Sequence, residues 1–157
     1  MPLDNLYKKI VQIQEFSIEN EIGNIIIRRT DQILQMTKRQ MEMGMDGSGK
    51  KTTLFGVAKY KKSTIAKKKK FGVGIGRITT RITNYMTGDF YNQLKVDIKL
   101  KKGKYTGYDL SSSVEYFDKI IQRSGKDILV LNSKNKRILK DLIVKDLKQI
   151  MNKKFSK

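Results

Sequence analysis

The sequence predicts one α+β domain over residues 1–157, a small, mostly antiparallel sheet packed by amphipathic helices, with an extended basic arm or loop. Three observations predict it. Apolar residues recur at helical spacing near both ends of the chain. A stretch of alternating polarity lies in the middle, and a glycine- and lysine-rich segment without any periodicity separates it from the N-terminal helices.

The N-terminal helices are expected over 3–43. Leu3, Leu6, Ile10, Ile13 and Phe16 stand three or four apart over residues 3–17. A longer helix follows from about Glu19 to Met43, with Ile22, Ile26, Ile33, Met36 and Gln40 along one stripe and Gly44 where a glycine stop belongs. Met36, Met41, Met43 and Met45 read as packing for its end. Residues 45–76 lose the period, their apolar anchors reduced to Leu54, Phe55, Val57, Tyr60, Ile65 and Phe71. A structureless connection of that length is uncommon inside a compact domain, which favours an arm that orders against a neighbour. Residues 77–100 read as strands: "RITTRITNYM" is rich in β-branched residues, and Leu94, Val96, Ile98 and Leu100 share one face of "YNQLKVDIKL". A turn is expected around Gly103. A capping box from Ser112 to Glu115 is expected to open a helix carrying Val114, Phe117, Ile120 and Ile121, closed by Gly125. "DILVLN" reads as a short buried strand. The last helix, from near Ser133 to about Lys153, buries Ile138, Leu142, Ile143, Leu147, Ile150 and Met151, with Asp141 four residues before Lys145.

Composition bears on function by exclusion. The chain has no cysteine and no histidine, which removes thiolate and imidazole chemistry and most transition-metal sites. Its 15 acidic residues are scattered rather than paired at metal-ligand spacing. Neither catalysis nor a metal or cofactor is expected. No apolar run approaches the ~20 residues that span a bilayer. No signal-peptide pattern opens the chain, so a cytoplasmic origin and no membrane partner are expected.

The formal net charge is +19, and residues 50–104 carry 16 basic residues against Asp89 and Asp97 alone. That imbalance points to a polyanion or an acidic protein surface. A lysine-rich proteome supplies part of it, as the accompanying isoleucine and asparagine indicate. Within the basic segment Lys59, Lys61, Lys62, Lys67, Lys68, Lys69 and Lys70 crowd into twelve residues, followed by Arg77 and Arg81. These are the candidate partner- or nucleic-acid-binding residues. Ammonium groups could neutralise phosphates without reading bases, or pair with an acidic groove on a protein. A solvated lysine loop would need no partner at all.

Two glycine motifs invite nucleotide readings, and both fail on spacing and context. "GMDGSGKKTT" places Gly44, Gly49 and Lys50 as a phosphate-binding loop would, but Lys51 stands where the magnesium-binding hydroxyl belongs. It also follows a helix rather than a strand, and reads instead as a helix stop from which the basic arm starts. "FGVGIGRITTR" has Arg77 where a dinucleotide fingerprint needs its last glycine. Its glycines suit a flexible entry to a strand or a close backbone approach.

The segment "RITNYMTGDFYNQLKVDI", Arg81 to Ile98, resembles the strand, "TG" plus apolar residue, strand signature of tailed-phage head–tail connector and tail-completion (neck ring) proteins. Thr87, Gly88 and Phe90 occupy the motif positions. The order of amphipathic helices, basic irregular stretch and strand–TG–strand is similar as well, over roughly residues 30–98. The sequence departs from the family where Asn92-Gln93-Leu94 replaces a serine-containing strand. The lysine- and isoleucine-rich style is similar to that of neck ring proteins of crAss-like gut phages. The resemblance implies a structural virion protein that forms a homo-oligomeric ring between portal and tail. Such a ring would contact portal, adaptor and tail proteins, with genomic DNA passing through its lumen. It would reside in the virion neck, and in the host cytoplasm during assembly. The other reading is a sequence-independent nucleic-acid-binding protein using the same lysines on phosphates.

Overall fold

A computed structural model describes residues 7–8, 11, 15–85 and 87–155, so the helix expected over 3–17 lies for the most part outside the described residues. The fold is α+β. In chain order it runs α1 (Ile18–Arg28), α2 (Thr30–Glu42), α3 (Lys62–Phe71), a 3-10 turn (Gly74–Arg77), a single helical turn α4 (Asp89–Asn92), β1 (Leu94–Lys101), β2 (Lys104–Ser112), α5 (Phe117–Ser124), a second 3-10 turn (Lys126–Leu129) and α6 (Ser133–Phe155). The two strands form one antiparallel hairpin, with α1 against β2 and α6, and α2 against β1.

The helix expected from Glu19 to Met43 is two helices. Ser17 caps the first, its hydroxyl accepting from the Asn20 amide. The break falls at Arg29, whose amide is shared between the Ile25 and Ile26 carbonyls. The run Ile25-Ile26-Ile27 followed by Thr30 is β-branched and stiff, a weak place in any helix. Across this break the Arg29 guanidinium grips Asp146 of α6 with two bonds, Nε to Oδ2 at 2.9 Å and Nη2 to Oδ1 at 2.6 Å. The hydrogen bonds from Arg29 hold the Asp146 carboxyl below its ordinary range. The folded state therefore releases that proton more readily than the unfolded chain. The resulting stabilisation is present above the ordinary carboxylate pKa and fades as pH falls through the depressed value. We expect Asp146→Asn to flatten the acid limb of stability against pH, measured by thermal melts stepped downward from pH 7.

The end of α2 follows the reading. Gly44 sits at φ +69°, its amide donating to the Met41 carbonyl while the Met45 amide reaches the Gln40 carbonyl, the paired bonds of a Schellman stop. Gln40 does more than line the stripe. It is fully buried, its Nε2 donating to the Val130 carbonyl at 2.8 Å and its Oε1 accepting from the Asn132 amide at 2.8 Å. That side chain holds residues 130–132, which read as a strand in the sequence. They follow the 3-10 turn instead, with Ile128 and Leu131 as their buried anchors.

The hairpin turn at Gly103 is observed. Lys102 and Gly103 both have positive φ, +51° and +74°, the combination a tight two-residue hairpin requires. Leu94 is buried, and Val96 and Ile98 pack against the core from the same face. Leu100 does not join them: it lies at the turn end of the hairpin, beside a bulge that leaves Thr106 of β2 unpaired, and is 65% exposed. The segment read as a strand before "TG" is irregular, though Ile82 and Thr83 are completely enclosed. α5 starts at Phe117, two residues after the expected capping box. Ser112 ends β2, and its hydroxyl accepts from the Val114 amide instead. Gly125 closes α5 at φ +80°.

Two adjoining apolar clusters make the core. Met41, Phe90, Tyr91, Leu94, Val114 and Ile128 form one; Ile26, Ile33, Leu110, Leu131 and Leu139 form the other. The first roots the "TG" segment and α5, and so positions the surface described next.

Candidate functional site

The basic segment is folded rather than extended. "KSTIAKKKKF" forms α3, although its stripe is weak: Thr64, Ile65 and Lys68 are the residues it turns inward. Residues 47–88 contain no acid at all. Lys59, Lys61, Lys62, Lys67, Lys69 and Lys70 are exposed on or beside this helix, an ordered comb of six ammonium groups.

Lys68 is the correction to the sequence reading. It is 1% exposed and cannot serve as a surface contact for a partner. Its Nζ donates to the Tyr85 carbonyl and lies 4.9 Å from the centre of the Tyr60 ring. The Tyr60 hydroxyl in turn accepts from the Thr83 amide at 3.0 Å, and the Tyr91 hydroxyl donates to the Thr83 carbonyl. Burial lowers the Lys68 amine below the ordinary lysine range and raises the Tyr91 hydroxyl above its own. These contacts span 8 to 23 residues in sequence, so no local pattern announces them.

Arg77 and Arg81 are exposed but tethered. Arg77 Nε donates to the Gly72 carbonyl at 3.0 Å, and Arg81 Nε donates to the Glu42 carbonyl at 2.6 Å. Each uses part of its guanidinium to fix a turn and keeps the remainder outward.

Of the six apolar residues expected to anchor this segment, Leu54, Tyr60 and Ile65 are half-buried, whereas Phe55, Val57 and Phe71 are exposed. Phe55 is 68% exposed and Phe71 56%, and Val57 and Val73 are also more than half exposed. Phe55 and Gly56 form the tip of a tight turn, closed by reciprocal Leu54 and Val57 backbone bonds and tied to α5 by the Phe55 amide on the Arg123 carbonyl. Phe55 is held at φ +51°, a conformation that disfavours a residue with a bulky side chain. A strained, exposed aromatic within the acid-free basic segment is the feature that sequence reasoning missed.

The "TG" motif sits beneath this face. Gly88 adopts φ +102°, and an added Cβ would stand 2.7 Å from the Tyr85 hydroxyl. Thr87 Oγ1 donates to Asp89 at 2.6 Å, at the start of α4. Phe90 is buried in the first core cluster, stacked obliquely on Phe117. Each motif residue thus has a local structural task. Together with Tyr60, Lys68 and Tyr116 they border a cleft of about 400 Å³.

The "GMDGSGKKTT" loop spends on itself the amides that a phosphate cradle would offer. Asp46 Oδ1 accepts from the Ser48 amide, the Ser48 hydroxyl and the Lys50 amide at 2.7–2.9 Å. Burial pushes that carboxyl upward, but these bonds and the Lys50 charge outweigh it and leave it below its ordinary range. Among the described residues no group of three metal-ligating side chains occurs. No helix there is long and apolar enough to cross a membrane. Comparison with family models, with curated proteins and with solved structures finds no match.

Proposed function

We propose that this chain is a structural subunit of a tailed-phage virion, a neck or tail-adaptor protein working in a ring between portal and tail. In this reading it docks through the face formed by residues 54–73. The observation that carries the docking mode is the mixture within that segment: Phe55, Val57, Phe71 and Val73 stand exposed in a stretch of chain that also exposes six lysines and contains no acid. Phosphates need charge and no apolar partner. Exposed aromatic and aliphatic side chains beside cations suit a protein surface, where they can fill pockets while the charges steer approach. A second copy is a poor occupant for this face, because its own exposed lysines would meet the same lysines on the copy. Contacts between ring neighbours would use other surfaces, and the lysine face would meet an acidic portal or tail protein.

The test is co-expression with the portal and tail-adjacent virion proteins, read by electron microscopy and size-exclusion chromatography. We expect rings in which Phe55→Ser with Phe71→Ser abolishes docking to the acidic partner. Lys67, Lys69 and Lys70→Ser should mainly slow association and reduce its salt dependence. The nucleic-acid reading predicts otherwise. It requires tight binding to duplex DNA, with log K falling about 0.9 per phosphate contacted against log salt, and insensitivity to the two phenylalanine changes.

A further inference from the structure

Lys68 raises a problem that the docking face does not solve. An enclosed ammonium normally faces a carboxylate, because the hydration lost on burial is offset chiefly by a partner charge. Among the described residues the ion pairs are Arg29–Asp146 and Lys99–Asp109, and neither involves Lys68. Its Nζ has one carbonyl and one ring face, so two of three N–H groups have no protein acceptor among those residues.

The same cleft gathers other donors left over. Asn84 accepts from the Ser124 hydroxyl through Oδ1, which leaves its amide group unspent. Asn84 is held at φ +52°, a strained backbone at the cleft wall. Arg123 and Thr64 also line the cleft, and neither side chain has a hydrogen-bond partner among the described residues. Against these stands Asp89, one of whose oxygens accepts from Thr87. Two cations thus oppose one carboxylate, and tyrosine rings supply flat walls. About 400 Å³ lies within the range of ligand pockets.

We propose that this cleft is a binding site for a small aromatic anion. Its negative group would take the unspent donors of Lys68, Asn84 and Arg123, and its ring would lie against Tyr60 and Tyr116. The proposal goes beyond the docking reading and does not depend on it.

The probes are phenyl phosphate, benzoate, inorganic phosphate and neutral phenol, at constant ionic strength, with thermal melting and isothermal titration as readouts. We expect phenyl phosphate or benzoate to raise the melting temperature of the wild type, with inorganic phosphate and phenol each much weaker. Lys68→Met keeps the buried stem and removes the charge. It should lose aryl-anion affinity by about tenfold or more, while the unliganded variant melts at or above the wild type. Lys67, Lys69 and Lys70→Ser should retain binding. If Lys68→Met fails to fold, Arg123→Gln, at an exposed position, should weaken the anion and leave the unliganded melt unchanged. The site is refuted if phenol stabilises as well as phenyl phosphate, since that is an apolar cavity alone. Aryl anions that bind Lys68→Met or Arg123→Gln undiminished, or that are lost with the exposed lysines, also overturn it, because they then sit on the general positive surface.

Discussion

Replacing Gln40 by Leu is expected to destabilise the protein by about 2–4 kcal/mol, although Leu matches it in size and is the better apolar residue. The side chain is fully buried and works from both ends, donating to the Val130 carbonyl and accepting from the Asn132 amide. Asn135 Nδ2 adds a longer bond to the same oxygen at 3.3 Å. Leucine offers none of these, and each partly buried backbone group left unpaired costs about 1–3 kcal/mol. The loss is also topological. Residues 130–132 connect the second 3-10 turn to α6 without any strand pairing, so Gln40 is what fixes their path across α2. Gln40→Glu should be no better, because it replaces the donor facing the Val130 carbonyl with a second acceptor. Denaturant midpoints compared with exposed Gln149→Leu, expected within about 0.5 kcal/mol of wild type, check the result. Equal effects at the two sites would show that the Gln40 bonds contribute nothing.

The sequence made the helical stripes and the hairpin readable because both signals are local. Gly44, Gly103 and Gly125 each occupy a positive-φ turn that punctuates a periodic segment, and the reading placed all three. The failures come from what lies far away in the sequence. The break at Arg29 is braced by an aspartate 117 residues away. The segments "RITTRITNYM" and "DILVLN", read as strands, have the β-branched composition of strands, yet among the described residues no neighbouring strand pairs with them. Their isoleucines, Ile82 and Ile128, were correctly apolar and are enclosed, so burial was legible where backbone geometry was not.

The same division runs through the candidate site. Net charge and spacing identified the lysine comb, but seven lysines in twelve residues look alike in a sequence. Which of them turns inward is decided by Tyr60 and Tyr85, both distant enough to escape any periodicity. The exposed phenylalanines were misread for the complementary reason. An aromatic residue in a basic segment ordinarily anchors it, and only the turn at Leu54–Val57 shows Phe55 facing outward.

Gly72→Ala decides whether the basic segment is a folded unit in the isolated chain or an arm that orders only on its neighbour. In the folded segment a Cβ at this position would stand 2.4 Å from the Lys68 carbonyl oxygen and 2.6 Å from that of Gly76. Both are backbone atoms and cannot swing aside. The Gly72 amide closes α3 on Lys68, and its carbonyl receives Arg77, so any relief moves the helix end and the following 3-10 turn together. We expect a loss of about 2–3 kcal/mol, in the range of overpacked sites. Faster amide exchange should follow over residues 62–77, together with weaker attachment of Lys68 to its cleft. Gly74→Ala is the matched control: it has open space around it and only a left-handed φ of +50° to oppose it, which costs about 1 kcal/mol. An arm unfolded in the free protein predicts no difference between the two. Alanine at either position would then remove conformational freedom from a chain with nothing to clash against, and both variants would be neutral in the monomer. Only docking to a partner would suffer. A large Gly72 effect in the free chain makes the lysine comb and its exposed phenylalanines a preorganised surface, which binds without the entropic cost of ordering some thirty residues.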